Sequence, residues 1–191
     1  MSLNDLVTER LKTATEAIAS LQRIGDELTK ACELAIATIE GGGMIATCGN
    51  GGSAAQALHL AEELMGRYRA DRRPLPGVCL NADPTLLTCI ANDYGFDAIF
   101  ARQCEALLNE GDLLLIFSTS GKSPNIIRAL KTARSKGVRT MGLLGPDDSP
   151  CHELCDIAIS SHGTDTAMIQ DAHQVVLHLL CEAIEQSILQ S

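Results

Sequence analysis

The pair His59 and Glu63 offers the clearest chemistry in the sequence. The two residues are four positions apart in a run rich in alanine, leucine and glutamate, which is typical of a helix, so their side chains share one face. An imidazole and a carboxylate on one face can bind a metal ion together, or can converge on a reacting carbon. The alternative is a solvated glutamate one turn from a histidine, and the spacing alone favours that alternative.

A glycine turn comes directly before this helix. Residues 44–69 open with an apolar run that predicts a strand, and they end in the helix. Strand, turn and helix in this order present backbone N–H groups to an anion at the helix N-terminus, and glycine lets a ligand approach the backbone closely. The turn matches neither nucleotide-binding glycine fingerprint, so a ligand loop and a plain structural turn are both open. Its residues are Gly49, Asn50, Gly51, Gly52 and Ser53.

Hydroxyl groups crowd a second loop, which lies between the apolar run LLLIF and a helix opened by Pro124. Hydroxyls, backbone N–H groups and the dipole of the helix can together hold a phosphate without a P-loop lysine. The alternative is that the hydroxyls only cap the helix, but their density favours phosphate. Lys122 is expected to point into solvent. The loop, called the hydroxyl loop below, consists of Ser118, Thr119, Ser120, Gly121, Lys122 and Ser123.

Strands and helices alternate from residue 44 onward, which predicts a parallel sheet. We expect an α/β fold with a five-stranded, doubly wound parallel sheet flanked by helices. Such a sheet binds ligands beyond the carboxyl ends of its strands, where both loops fall, together with residues 81–83, 92–93 and 144–146. The predicted strands are 44–48, 77–80, 113–117, 140–144 and 157–160, and the predicted helices are 53–68, 84–92, 96–108, 124–136 and 165–189.

Two amphipathic helices precede the first strand and have no strand partner of their own. Their apolar stripes fall within residues 3–40, with a break near Gly25 and Asp26 as the expected N-cap of the second helix. We therefore divide the chain into an N-terminal helical arm, residues 1–40, that serves oligomerisation, and a domain of residues 41–191. Packing of the arm on another subunit and packing on its own domain are both open.

The composition is that of an ordinary globular chain. With 46% hydrophobic and 20% charged residues in 191, the chain can bury a core and is not of the disordered class. The net charge of −9 argues against nucleic acid or an anionic membrane as a partner. No long apolar run and no signal-like N-terminal segment is found, so we expect a cytoplasmic protein.

The eight cysteines could suggest a disulfide framework, but most of them sit singly in apolar segments, where a free cysteine behaves as a small hydrophobic residue. Only Cys151 and Cys155 are close, with His152 between them, and no second pair stands at zinc-finger spacing. A structural zinc at that motif is the alternative. Reduced core cysteines in a cytosolic protein are the favoured interpretation.

Five segments, in their order and separations, closely resemble the bacterial phosphoheptose isomerase family. Members of this family are sugar-isomerase (SIS) domain proteins that act on sedoheptulose 7-phosphate. The resemblance covers the chain from about Gly41 to the C-terminus, it is compatible with the helical arm, and it implies a flavodoxin-like sheet. The segments are CGNGGS, HLAEELMGRYR, IANDYGFD, FSTSGKS and IQDAHQVVLH.

The resemblance implies an aldose–ketose isomerase that makes D-glycero-D-manno-heptose 7-phosphate through an enediolate, the first step towards ADP-heptose for the lipopolysaccharide core. It also implies a homotetramer with active sites at subunit interfaces. Carried over by motif, Glu63 and His178 are the catalytic acid–base pair, and a Zn²⁺ in each subunit is bound by His59, Glu63, Gln170 and His178. The implied substrate contacts are Asn50, Gly51, Gly52, Ser53, Glu63, Arg67, Asn92, Asp93, Ser118, Thr119, Ser120, Ser123 and Gln170.

The spacing of Gln170 and His178 does not fit a single metal easily. The two residues are eight positions apart, so on one helix they lie roughly 12 Å apart along the axis and about 80° apart around it. Spacing alone pairs His178 with Gln174 or Asp171 instead. The other explanation is a site assembled across subunits, which agrees with the tetramers of the family.

Two departures from the isomerase pattern lean towards a sister branch of the family. Residues 54–56, Ala-Ala-Gln, replace polar residues of the glycine turn, and Met168 stands where an arginine is expected. That branch contains non-catalytic SIS-domain regulators that bind the replication initiator DnaA and lack the glutamate and histidine of the metal site. Because this sequence retains Glu63 and His178, we favour the isomerase. A sugar-phosphate sensor is a third, weaker hypothesis, since sensing needs no metal.

Overall fold

Five parallel strands form one sheet in the computed structural model, which describes residues 1–145, 147–163 and 165–190. The strands are β1 (Ile45–Gly49), β2 (Gly77–Cys79), β3 (Leu113–Ser118), β4 (Arg139–Leu144) and β5 (Ile157–Ser160). Their order is β2-β1-β3-β4-β5, and every neighbouring pair is parallel. The predicted five-stranded, doubly wound sheet is confirmed.

The helices lie close to their predicted positions, with small differences. The helix predicted over 96–108 begins as a 3-10 turn at Phe96–Ala98, and a short helix at Pro150–Leu154 was not predicted, because five residues are too few to show a hydrophobic period. Of the predicted loop 144–146, Pro146 lies outside the described residues. No described helix has both the length and the apolar character needed to cross a membrane. The α-helices are α1 (Leu3–Ser20), α2 (Gly25–Glu40), α3 (Gly52–Met65), α4 (Pro84–Tyr94), α5 (Ala101–Leu107), α6 (Pro124–Ser135), α7 (Pro150–Leu154) and α8 (Thr166–Gln190).

The central strand β3 divides its side chains between two cores, one on each face of the sheet. Leu113, Leu115 and Phe117 pack with residues of α2, α3 and α8. Leu114 and Ile116 pack with residues of α4, α5, α6 and α7. All six residues of β3 are buried, which explains its continuous apolar sequence.

The two N-terminal helices pack on the chain's own last helix. Residues of α2 and α8 share one core cluster, and Arg10 Nη2 of α1 lies 2.5 Å from Asp171 Oδ2 of α8. The break between α1 and α2 is a 3-10 turn at Leu21–Ile24, and the prediction that Asp26 caps α2 was wrong, since Ile24 holds that position. The division at residue 40 stays a prediction. Five large apolar side chains of α1 are exposed, namely Leu3, Leu6, Val7, Leu11 and Ile18.

All eight cysteines are free thiols, and five of them are buried. Burial raises the pKa of Cys104 and of Cys181 to about 12, so both stay protonated at neutral pH. Cys89, which also sits in an apolar segment and was expected in the core, is exposed, and α4 packs through Ile90 instead. The thiols therefore act mainly as small hydrophobic side chains.

The histidine of the possible zinc motif is engaged elsewhere. His152 Nδ1 lies 2.9 Å from Ser149 Oγ, and its Nε2 lies 2.7 Å from Ser160 Oγ. Both ring nitrogens are thus used in hydrogen bonds with hydroxyls. The geometry does not support a structural zinc shared with Cys151 and Cys155.

His173 lies in the core between α8 and the sheet. Its ring is fully buried, its Nε2 donates a hydrogen bond to Leu144 O at 2.9 Å, and its Nδ1 has no hydrogen-bond partner among the described residues. Burial lowers the pKa of His173 to about 4, and the hydrogen bond opposes that shift only in part. The ring is therefore neutral at physiological pH.

We expect His173 to reduce stability in acid. Its pKa is lower in the folded chain than in the unfolded chain, so the unfolded chain binds the proton first and stability falls as the pH drops from 6.5 towards about 4. The difference corresponds to at most about 3 kcal/mol. His173→Gln keeps an N–H donor but does not titrate, so the loss of unfolding free energy between about pH 7 and about pH 5, measured with urea, should be smaller. An equal loss in both proteins would contradict this.

Candidate active site

The glycine turn places the start of α3 at the carboxyl edge of the sheet. Gly51 has φ +58°, a conformation that favours glycine, and it provides no side-chain cap for the helix. Gly52 lies against α8, because a Cβ at this position would be 2.6 Å from Gln170 Nε2. Ser53, the next residue, is buried. The turn therefore lets α3 and α8 approach each other, while Ser53 N and Ala54 N donate within the turn, to Asn50 O and Gly51 O.

His59 and Glu63 of α3 meet His178 of α8 through Gln174. His59 Nε2 is 3.1 Å from Glu63 Oε1, and His59 Nδ1 is 3.1 Å from Gln174 Nε2. Gln174 Nε2 also lies 3.1 Å from His178 Nε2, and the centroids of the two imidazole rings are 5.4 Å apart. The structure thus brings together, within one chain, three of the four residues predicted to bind a metal.

Two glutamines on successive turns of α8 have different environments. The Gln170 amide lies at the glycine turn, against Gly52, whereas Gln174 bridges the two histidines. Gln56, one of the departures from the isomerase pattern, donates from Nε2 to Gln170 O at 2.8 Å and thereby links α3 to α8. Gln174 is absent from the set implied by the family resemblance. Its spacing of four residues from His178 is the signal that points to it.

The donor atoms of this cluster fit a divalent metal ion. His59, Glu62 and Glu63 offer ligand atoms that all lie within 4.8 Å of one another, and the ring of His178 lies beside that of His59. Imidazole nitrogens and carboxylate oxygens are ligands that zinc prefers. Glu62 is exposed and was not among the predicted ligands, although it stands three residues after His59 on the same helix.

Tyr68, at the end of the predicted helix 53–68, is a further residue of this cluster that sequence analysis did not single out. Its ring centroid lies 5.9 Å from that of His178, at an interplanar angle of 34°. The guanidinium of Arg69 lies over the Tyr68 ring, 4.8 Å from its centroid. An aromatic wall beside His178 limits the positions that the imidazole can adopt.

The hydroxyl loop follows β3 at the same edge of the sheet. Ser118 Oγ accepts a hydrogen bond from Gly121 N at 3.1 Å, and Ser120 Oγ accepts one from Lys122 N at 3.3 Å. Ser123 holds the N-cap position of α6, but its side chain makes no capping hydrogen bond. Helix capping therefore does not explain this residue. Lys122 is exposed, as predicted.

Close backbone contacts fix the shape of the hydroxyl loop. A Cβ on Gly121, which has φ +59°, would be 2.0 Å from Ser149 Oγ, and Cys151 N donates to Gly121 O at 3.2 Å. A Cβ on Gly145 would be 2.0 Å from Thr119 O. The loop is thus clamped between α7 and the end of β4, and Thr119 stays half-buried.

Asn125 joins the two loops. Its side chain is buried, and its amide pairs head to head with that of Asn50, with Asn50 Nδ2 3.0 Å from Asn125 Oδ1 and Asn125 Nδ2 2.9 Å from Asn50 Oδ1. This pair sets the distance between the glycine turn and the hydroxyl loop. Sequence analysis missed Asn125, because an asparagine in the first turn of a helix carries no signal of burial.

Three predicted substrate contacts lie further out. Arg67, just beyond α3, is exposed, and its Nη1 donates to Arg69 O at 3.2 Å. Asn92 and Asp93 are exposed on the last turn of α4, where Asn92 Nδ2 donates to Asp93 Oδ1 at 2.7 Å. A cavity of about 250 Å³ lies between the glycine turn and α4.

Comparisons with known proteins agree with this arrangement. A family model described as SIS domain matches residues 9–145. The phosphoheptose isomerase of Aliarcobacter butzleri is 46% identical over 177 residues, which cover 93% of this chain and 92% of that protein. The chain belongs to the phosphoheptose isomerase family of SIS domain proteins.

Solved structures of the phosphoheptose isomerase family share the fold over nearly the whole chain. One from Francisella tularensis has a TM-score of 0.93 at 30% identity, and covers 97% of this chain and 100% of its own. One from Neisseria gonorrhoeae has a TM-score of 0.91 at 34% identity, with the same coverage of 97% and 100%. Since these relatives are isomerases by name, the alternative of a DnaA-binding regulator is not favoured.

We expect the Asn50–Asn125 pair to stabilise the fold. Asn125→Leu removes one partner and leaves the Asn50 amide without its hydrogen bonds, which should lower the free energy of unfolding by about 1–3 kcal/mol. Asn92→Leu, on the exposed turn of α4, is the matched control and should change it by less than about 0.5 kcal/mol. Urea denaturation measures both. Equal effects of the two substitutions would speak against a stabilising pair.

Proposed function

We propose that this protein converts sedoheptulose 7-phosphate into D-glycero-D-manno-heptose 7-phosphate, as an aldose–ketose isomerase. The observation that carries the proposal is the cluster in which His59 contacts Glu63 and is linked through Gln174 to His178, at the same edge of the sheet as a loop suited to phosphate. The names of the relatives supply the substrate class. In this proposal the reaction is the first step of ADP-heptose synthesis for the lipopolysaccharide core.

The reaction moves two protons within one substrate molecule. Glu63 takes the proton from C1 of the ketose, which gives an enediolate, and returns it to C2. His178 carries the hydroxyl proton from O1 to O2. No atom is gained or lost, and oxidation of C1 is balanced by reduction of C2. His59 Nε2 lies 3.1 Å from Glu63 Oε1, and this contact restricts the orientation of the carboxylate.

The phosphate end of the substrate would bind to the hydroxyl loop. The hydroxyls of Thr119 and Ser123, backbone N–H groups and the N-terminus of α6 provide donors and a favourable dipole there. Because this grip is distant from the reacting carbons, its binding energy can orient C1 and C2 at Glu63 and His178. The hydroxyl groups in the middle of the sugar's carbon chain would contact Asn92, Asp93 and Arg67.

A zinc ion would be held by His59, Glu63 and His178, with Gln170 as the fourth ligand that the family resemblance implies. When bound, zinc supplies positive charge that stabilises the oxyanion of the enediolate. Support comes from the ligand atoms of His59, Glu62 and Glu63, which lie within 4.8 Å of one another, and from the ring of His178, whose centroid is 5.4 Å from that of His59.

The homotetramer and the cytoplasm are part of the same proposal. The exposed apolar side chains at the start of α1 give this helix a surface that a second subunit could cover. Free thiols in all eight cysteines agree with a reducing compartment. Active sites at subunit interfaces would then draw further contacts from the neighbouring chain.

Glu63→Gln should abolish most of the turnover. Removal of a general base costs about 10²–10⁴-fold in kcat, while KM should stay within about threefold because the phosphate grip is intact. Turnover is followed by NMR in deuterated water, where the proton held by Glu63 exchanges with solvent before transfer, so the wild type should incorporate deuterium at C2 of the product. Glu105→Gln, an exposed carboxylate on α5, is the control and should behave as the wild type. Full activity of Glu63→Gln would refute the assignment. No turnover by the wild type, together with binding to DnaA, would favour the regulator.

The purified protein should contain about one zinc per subunit, measured by plasma mass spectrometry. His59→Ala should lose most of that metal, while His152→Ala, whose ring contacts only hydroxyls and Asp147 in the described residues, should retain it. Chelation should remove turnover, and added zinc should restore it. Metal-free wild-type protein that turns over at full rate would rule out the zinc.

A further inference from the structure

We propose that Arg72 and Glu185 are positioning residues, a buried pair that holds the helix turn of Glu63 at a fixed place relative to His178. The inference rests on the isomerase function proposed above and goes beyond it. In the contacts described for this chain, neither residue touches the side chains of His59, Glu63 or His178, and Arg72 binds Glu63 only through its backbone carbonyl. Arg72 lies in the segment between α3 and β2, residues 66–76, called the α3–β2 loop below.

Arg72 closes the C-terminal end of α3. Its side chain is only 3% exposed, its Nη2 donates to Glu63 O at 2.6 Å, and its Nη1 donates to Leu64 O at 2.9 Å. The last carbonyl groups of a helix have no partner within the helix, and a cation there is favoured by the helix dipole. Arg72 thus binds the backbone of the residue that we propose as the base.

Glu185 anchors the same loop to α8. Its carboxylate accepts hydrogen bonds from Arg69 N at 3.1 Å and from Ala70 N at 3.0 Å, and Arg72 Nε lies 3.7 Å from Glu185 Oε1. Burial alone would raise the pKa of Glu185, but the hydrogen bonds from Ala70 and Arg69 and the charge of Arg72 outweigh it and hold the pKa below its usual value. The Glu185 carboxyl group is therefore ionised at neutral pH.

Glu185 stands seven residues after His178 on α8, so the two side chains lie on one face, two turns apart. Arg72 thus binds the last turn of α3, which contains Glu63, and Glu185 lies on the same face of α8 as His178. The α3–β2 loop held between them also carries Tyr68, whose ring centroid is 5.9 Å from that of His178. A shift of this pair would move the proposed base, and the aromatic neighbour of the proposed proton carrier, at the same time.

A second ion pair on the same loop and helix provides a natural comparison. Arg69 Nη1 lies 3.3 Å from Glu182 Oε1, but the two side chains are 64% and 41% exposed. Exposed ion pairs of this kind contribute little to the stability of the fold. A buried pair differs, because removal of one partner leaves a charge without compensation, whereas replacement of both partners by apolar residues is tolerated better.

The test compares kcat and KM for sedoheptulose 7-phosphate in Arg72→Lys, Glu185→Gln and Glu182→Gln. A lysine cannot contact Glu63 O, Leu64 O and Glu185 together, so we expect kcat to fall at least about tenfold in Arg72→Lys, since small misplacements of reacting groups are costly. Glu185→Gln should also lower kcat. KM should stay within about threefold in both, because the hydroxyl loop is untouched. Glu182→Gln should match the wild type.

The double variant Arg72→Met/Glu185→Met distinguishes a loss of positioning from a loss of folding. It removes both charges, so it should fold, as judged by circular dichroism and thermal melting, and yet keep the reduced kcat. Folded Arg72→Lys and Glu185→Gln proteins with kcat within about twofold of the wild type would overturn the inference. So would a double variant that recovers full kcat. If the wild type turns over and the variants match it, only this inference fails. If the wild type itself shows no turnover, the proposed function fails, and this inference fails with it.

Discussion

The packing of α3 against α8 is the constraint on which the site depends. His59 and Glu63 belong to the first helix, and Gln174 and His178 to the second, so the cluster exists only where side chains of the two helices can reach each other. Glycine at position 52 permits this approach at one end, and the hydrogen bond from Gln56 to the backbone of α8 secures it. The buried residues of both helices share one core cluster with the sheet, which makes the site part of the hydrophobic packing.

The sheet supplies the second half of the arrangement. Because β1 and β3 are neighbours and parallel, the turns that follow them open at the same edge. The paired amides of Asn50 and Asn125 then fix the separation of those turns. A sugar phosphate that binds there would meet rigid elements at both ends, the helix cluster at the carbonyl end and the hydroxyl loop at the phosphate end. This geometry agrees with the family to which the chain belongs.

The sequence allowed the fold and part of the site to be predicted. Apolar runs such as LLLIF mark strands covered on both faces, and the spacing of His59 and Glu63 places them on one helix face. The convergence of α3 with α8 came only from the family resemblance, since no local pattern encodes contacts between distant helices. Asn125, Arg72 and Glu185 escaped prediction because polar side chains are expected at the surface, and their burial depends on partners far away in the chain.

The buried cysteines have a consequence for experiments on motion. Thiols react as thiolates, and burial raises the pKa of both Cys104 and Cys181 to about 12, so alkylating reagents should modify them only when the surrounding structure opens. Cys104 lies in the core on one face of the sheet and Cys181 in the core on the other, one turn after His178. The labelling rates of these two thiols would therefore show how often the core on each face of the sheet opens.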